Sequence, residues 1–185
     1  MNSFAWLTLA LFLSALLLLT GPMGAWLAAI GQGKIPPLLG ILSPLFSLLS
    51  KVENAVYRLA GIHTHLSMSW KTYALAVLVF NALGLVVVYG LQRMQSFLPL
   101  NPQGHQGVSP DSSFNTAVSF VTNTNWQAYA GESTMSYLTQ MLALTVQNFF
   151  SAATGLAVAY ALIRGFAARS ASGLGNFRVD ITRIT

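Results

Sequence analysis

A chain of 185 residues that is 54% apolar and only 7% charged falls far below the roughly 25% charged content of soluble domains, which excludes a water-soluble globule and predicts an all-α integral membrane protein. The net charge of +5 comes from nine basic and four acidic residues, too sparse for the dense basic face that nucleic acid requires; membrane lipid is the expected partner and nucleic acid is not. There are no cysteines, which removes disulfides and thiolate metal sites.

Residues 4–28 are apolar and free of charge, long enough to cross roughly 30 Å of hydrocarbon. No Lys or Arg precedes them, and the run exceeds the about 7–15 residues of a signal-peptide core. A retained first span, residues 1–30, is therefore expected, with a kink at Gly21-Pro22. Residues 31–69 form a connector. Lys34 and Pro36-Pro37 predict a turn, and Pro44 suits the first turn of a helix. Beyond it Leu45, Leu48, Leu49, Val52, Val56 and Leu59 recur near helical spacing, with Lys51, Glu53, Asn54 and Arg58 off the stripe. That pattern predicts an amphipathic helix at the membrane interface or packed on neighbouring spans. His63-Thr64-His65 lacks the carboxylate or thiol that would complete a metal site, and reads as solvated loop.

Residues 70–90 form the second span, anchored by Trp70, Lys71 and Tyr73 at headgroup level. Asn81 is the one amide inside it, available for a bond across helices or for a pathway. Gly84 is where another helix can approach closely. The span ends at Arg93, and residues 101–113 read as an aqueous loop.

Residues 112–126 read S-S-F-N-T-A-V-S-F-V-T-N-T-N-W. The apolar part, 114–120, is too short to span and predicts a re-entrant half-helix, capped by Asp111, Ser112 or Ser113. Two Thr and two Asn follow in four consecutive positions, 122–125. Such backbone survives at membrane depth only when buried in protein or lining a watery cavity. A half-helix that stops mid-membrane turns its negative C-terminal dipole toward residues 121–125, which favours a cation. The expectation is a pore helix followed by a selectivity filter. The loop has no Gly to supply positive φ. Asn is the next most tolerant residue for that conformation, so Asn123 and Asn125 are expected to take its place.

The third span is residues 135–167, capped by Ser133 or Thr134. It is long, so it should tilt, kink near Gly155 or extend into water. Gln140, Gln147, Asn148 and Ser151 lie in its first half and should face protein or a water-filled cavity. Gln147 and Asn148, with Asn115 on the half-helix and Trp126 after the loop, are candidates for supporting the filter. Trp126 either packs behind it or anchors at the interface. Residues 70–167 thus form a span–pore loop–span repeat. Arg164 closes the last span, and Arg169, Arg178 and Arg183 follow in a polar tail, residues 168–185, with a flexible turn at 170–175. The connector and tail carry most of the basic residues, whereas the filter-side loops hold Arg93 alone. The positive-inside rule puts the C-terminus in the cytoplasm and the N-terminus and filter entrance outside.

S-F-V-T-N-T-N-W-Q (119–127), L-P-L-N-P (98–102), T-V-Q-N-F (145–149) and the W-K-x-Y start of the second span resemble the N-terminal third of the potassium-binding subunit of Kdp-type potassium-transporting ATPases, within the superfamily of potassium transporters. The resemblance covers essentially the whole chain. It implies a channel-like subunit of four span–pore-loop–span repeats whose filter loops together coordinate dehydrated potassium. It also implies a tunnel to a separate P-type subunit that hydrolyses ATP, so that this chain is no enzyme itself. Potassium is then the one ion, with no other metal and no organic cofactor. The implied partners are the catalytic P-type subunit and small accessory membrane subunits, in the bacterial plasma (inner) membrane. Carried onto this chain, Val121, Thr122, Asn123, Thr124 and Asn125 would be the first repeat's filter contribution, through backbone carbonyls and Thr hydroxyls. One repeat is present, so a chain truncated to its first pore repeat is expected. A self-assembling homotetrameric cation channel and a non-conducting accessory membrane protein are the alternatives.

Overall fold

The computed structural model describes residues 3–34, 43–168 and 173–185, and among these every regular element is helical. Three helices are long and apolar enough to cross a membrane: Phe4–Gly31, Trp70–Phe97 and Thr139–Ala167. The chain forms two compact units, Met1–Ile62 and His63–Thr185. The second unit therefore joins residues 63–69 and the C-terminal tail to the pore repeat.

In the first unit, α1 (Ser3–Gly31) has no acidic or basic residue in its terminal turns and carries Pro22 in its interior. Its leucines from Leu7 to Leu19 are exposed, the pattern of a helix that suits lipid all round. Thr8 and Thr20 donate their hydroxyls to the carbonyls of Phe4 and Leu16, at 3.0 and 2.8 Å. That satisfies two polar groups within the helix itself, as hydrocarbon requires. The Pro36-Pro37 turn lies outside the described residues. Helix α2 (Ser43–Leu59) has Pro44 in its first turn, and its Tyr57 is buried and donates to Glu53 Oε1 at 2.6 Å.

In the second unit, α3 (Trp70–Met94) is capped by Ser69, whose hydroxyl accepts from the Thr72 N–H, and runs on into one 3-10 turn, Gln95–Phe97. Then come α4 (Pro110–Val121), the single turn α5 (Gly131–Thr134), a π-helical segment (Thr139–Thr145) continuous with α6 (Val146–Ala167), and α7 (Phe177–Ile184).

The caps differ from those expected. The N-cap of α4 is Ser109, which accepts from the Ser112 N–H, rather than Asp111, Ser112 or Ser113. Pro110 is the reason: it has no N–H to satisfy and a φ already helical, so it takes the first helical position and sets the cap at the residue before it, Ser109. Ser133 and Thr134 belong to α5. The backbone is extended at Met135, and Ser136 Oγ accepts from the Thr139 N–H at 3.2 Å, as the cap of the third span. Asn81 donates to the Val77 carbonyl at 2.8 Å, a bond within α3 itself. The irregularity of the third span is the π segment, not Gly155, which sits inside α6.

The tail departs most from expectation. Residues 169–172, which hold Arg169 and half of the expected flexible turn, lie outside the described residues. Beyond them the chain forms a docked helix rather than a solvated polar tail. Phe177, Val179, Asp180 and Ile181 of α7 are buried. Phe177 and Ile181 join Tyr73 and the stripe Ala153, Ala157 and Ala161 in one core cluster. Alanines spaced four apart leave one face of α6 nearly smooth, so bulky partners approach it closely. Phe177 packs edge-to-face on Tyr73 and on Phe80, with ring centroids 5.6 and 5.7 Å apart. Gly84 is a site of close approach, as expected: a Cβ there would lie 2.7 Å from Gln147 Oε1 of α6.

Candidate functional site

Helix α4 has twelve residues, about 18 Å of rise, far short of the roughly 30 Å of a bilayer core. Side chains from the long helices position it. Val88 of α3, Ala117 of α4 and Ala143 of the π segment form one buried cluster. Val108, Phe120, Met135 and Leu144, with Tyr129 against them, form another, which includes residues at both ends of α4. Gln92 is fully buried, and its Nε2 donates to the Val88 and Ser113 carbonyls at 2.9 and 3.3 Å.

Gln95 ties down the surrounding loops. Its Nε2 donates to the Gln106 and Thr134 carbonyls at 2.6 and 2.9 Å, and its Oε1 accepts from the Ser136 N–H at 3.0 Å. Asn101 adds bonds to the Gln95 and His105 carbonyls. Gln95→Leu keeps much of the volume but orphans these groups, each at roughly 1–3 kcal/mol when buried. The expected result is a marked loss of thermal stability in detergent; an unchanged unfolding temperature would refute this bracing role.

The loop after α4 folds back over the helix end. The N–H of Thr122 donates to the Val118 carbonyl at 3.0 Å, that of Asn123 to Phe120 at 3.3 Å, and those of Thr124 and Asn125 both to Ser119, at 3.0 and 3.2 Å. Four consecutive N–H groups thus point into the C-terminus of α4. Two left-handed residues make this possible, Asn123 at φ 59° and Asn125 at φ 53°. Asparagine does take the place of glycine here. No peptide among the described residues is cis. In a trans peptide the carbonyl opposes the N–H of the next residue, so the carbonyls of Val121, Thr122, Asn123 and Thr124 are turned away from the helix end. The threonines reinforce this polarity. Thr122 Oγ1 lies 2.9 and 3.2 Å from the Val118 and Ser119 carbonyls, and Thr124 Oγ1 lies 3.0 Å from Ser119. The two hydroxyls also lie 3.3 Å from each other, and Thr124 Oγ1 lies 3.2 Å from Ser119 Oγ, so the three side chains form one hydroxyl cluster at the helix end.

The terminal carbonyls of α4 therefore do not stand bare before a ligand. They are capped by the loop, and the helix's negative end polarises peptides whose own oxygens face outward. Residues 122–126 are exposed along this face. An exposed run of neutral oxygens is chemically a ligand set for a hard cation, with no charge on the ligands themselves.

Of the supporting residues named from sequence, Asn115 lies on an exposed face of α4 and Trp126 leaves 58% of its surface exposed. Gln147 is buried, set against Gly84 of α3. Asn148 has a buried carboxamide oxygen without a hydrogen-bond partner. The direct link between α6 and the loop is Ser151, whose hydroxyl donates to Asn123 Oδ1 at 3.2 Å. Ser119, which gathers so many loop donors on its carbonyl, carried no signal in the sequence, because any residue type offers that backbone oxygen.

Residues 10–185 match the family model described as the potassium-transporting ATPase A subunit. The potassium-transporting ATPase potassium-binding subunit of Methylibium petroleiphilum is 65% identical over the whole of this chain, which covers 31% of that protein. The subunit of the same name from Herminiimonas arsenicoxydans is 62% identical, with 30% of its length covered. That from Dechloromonas aromatica is 55% identical, with 29% covered. The chain thus spans about a third of the length of the curated relatives it matches. With three apolar helices and a matched family model over residues 10–185, the chain belongs to the potassium-transporting ATPase A subunit family.

Proposed function

We propose that this chain supplies one pore repeat of a potassium-binding transport subunit, with α4 as a re-entrant pore helix and residues 121–125 as its filter contribution. The observation that carries the reading is the inward turn of four consecutive N–H groups onto α4, which leaves the carbonyls of Val121, Thr122, Asn123 and Thr124 on the exposed face. Potassium is held in such filters by oxygens that replace its hydration shell from all sides. One loop supplies only part of that shell, so the remaining oxygens come from further filter loops. The ion is the cargo, and no organic cofactor enters the scheme. ATP hydrolysis lies on a partner P-type subunit, with small accessory membrane subunits completing the complex. The names of the relatives support this reading.

The setting is the bacterial plasma membrane, with residues 31–69 and the C-terminus cytoplasmic and the filter entrance outside. The distribution of basic residues supports that orientation. These 185 residues hold no cysteine, and labelling of the unsubstituted complex gives the background set by the rest of the assembly. Single Thr122→Cys, Thr124→Cys and Asn125→Cys variants, in the assembled complex in sealed membranes, are treated with a water-soluble thiol reagent added outside. Modification that potassium slows and sodium does not is the expected result. Cysteines that fail to react, or react equally with either cation present, would remove the filter reading.

A further inference from the structure

Asn123 is held from two directions. Its backbone N–H bonds to the end of α4, and its side-chain oxygen accepts from Ser151 of α6, 28 residues further along the chain. The carboxamide oxygen of Asn123 is therefore turned toward α6 and already engaged by a donor, leaving this residue's contribution to the open face to its backbone carbonyl. Ser151 is itself buried, 4% exposed, so its hydroxyl cannot turn to bulk water. It has one proton and two acceptors at 3.2 Å, Asn123 Oδ1 and the Asn148 carbonyl in its own helix. When the proton serves the loop, the left-handed turn at Asn123 is fastened to the span. When it serves Asn148, the loop is released.

A left-handed non-glycine residue is intrinsically unfavourable. Its orientation therefore depends on what holds it, and carbonyl position in a filter depends on that orientation in turn.

Resting on the filter reading of residues 121–125, we propose that Ser151 is a positioning residue for ion selectivity: its hydroxyl fixes the Asn123 turn, and so the spacing of the loop carbonyls, without touching the ion.

The experiment uses the assembled ATP-driven complex and titrates its ATPase activity with potassium, rubidium and sodium. It compares Ser151→Ala, Ser151→Val, Ser151→Thr, Asn123→Ala and the double variant Ser151→Ala/Asn123→Ala. Valine and threonine share a shape and differ in the hydroxyl, so that pair separates hydrogen bonding from packing. Alanine and valine are expected to raise the potassium concentration for half-activation about fivefold, the equilibrium effect of one hydrogen bond of ordinary net strength. They should also narrow the discrimination against rubidium and sodium, with maximal turnover nearly unchanged, while threonine stays close to the parent. On the Asn123→Ala background, Ser151→Ala should add nothing further. Equal shifts for threonine and valine, additive effects in the double variant, or loss of turnover with selectivity intact would each overturn the proposal. If Asn123→Ala itself left the cation dependence unchanged, the filter reading would fall, whereas a shift there with none at Ser151 would remove only the positioning role.

Discussion

Asn125→Val is expected to weaken potassium activation of the complex by roughly tenfold or more, while Asn125→Gly stays within about threefold of the parent. Asn125 sits at φ 53°, where a β-branched side chain is strongly disfavoured and glycine is at no steric disadvantage. A left-handed conformation costs a typical L-residue roughly 1–2 kcal/mol. If the loop must stay in this shape to present its carbonyls, that cost passes directly into ion affinity, at about 1.4 kcal/mol per tenfold. The contrast between the two variants isolates backbone shape from side-chain chemistry. If glycine were as damaging as valine, the Asn125 amide would be acting as a ligand or a tether, and the carbonyl-based account would be wrong. The measurement is the potassium dependence of ATPase activity in purified complex, with expression and monodispersity as controls.

The second large effect concerns the other end of the bundle. Arg164 of α6 forms a bidentate pair with Asp180 of α7, Nη1 to Oδ2 at 2.6 Å and Nη2 to Oδ1 at 2.8 Å. The Tyr73 hydroxyl of α3 reaches the same carboxylate at 2.9 Å, as well as the Ala157 carbonyl at 2.8 Å. Asp180 is 3% exposed and the Arg164 side chain 32%, and this asymmetry decides the outcome. Arg164→Ala leaves a buried carboxylate with only a tyrosine for company, an arrangement that typically costs 3–5 kcal/mol. Asp180→Ala leaves a guanidinium that can reach water, so its cost should be distinctly smaller. Replacing both by leucine removes the uncompensated charge along with the pair, and should recover much of the loss. Thermal unfolding in detergent checks the order: Arg164→Ala lowest, Asp180→Ala intermediate, the double variant above Arg164→Ala. A double variant as unstable as Arg164→Ala would mean that packing, rather than buried charge, is what fails.

Much of this architecture is legible along the chain because it depends on local composition. Hydrocarbon demands long uncharged segments, so the three spans stand out. The apolar run at 114–120 is too short to cross, so a short element between spans is readable there, although its full extent as α4, Pro110–Val121, is not. The left-handed backbone at Asn123 and Asn125 follows from a loop that needs positive φ and contains no glycine, since asparagine is the residue that tolerates it best.

The features that escaped share a different cause. Ser109 rather than Asp111, Ser112 or Ser113 caps α4 because Pro110 takes the first helical position, which puts the three polar candidates that follow it inside the helix. Eight residues of α7 hold too few apolar positions to announce a buried helix, and their partners Tyr73, Phe80 and Ala157 belong to spans distant in sequence. Gln95 and Asn81 are both amides in or just after the same span, yet one binds three backbone groups outside its helix and the other bonds to its own helix. Composition cannot separate them, because the difference lies in which groups the fold brings within 3 Å. By itself the sequence determined what must avoid water, where the chain must turn, and which residues could adopt a left-handed backbone. Only the tertiary structure decided how the loop's N–H groups turn inward onto Ser119 and Phe120, and which side chain of α6 holds Asn123. Hydrogen bonds between distant residues are chosen by packed geometry, and residue type supplies only the means to make them.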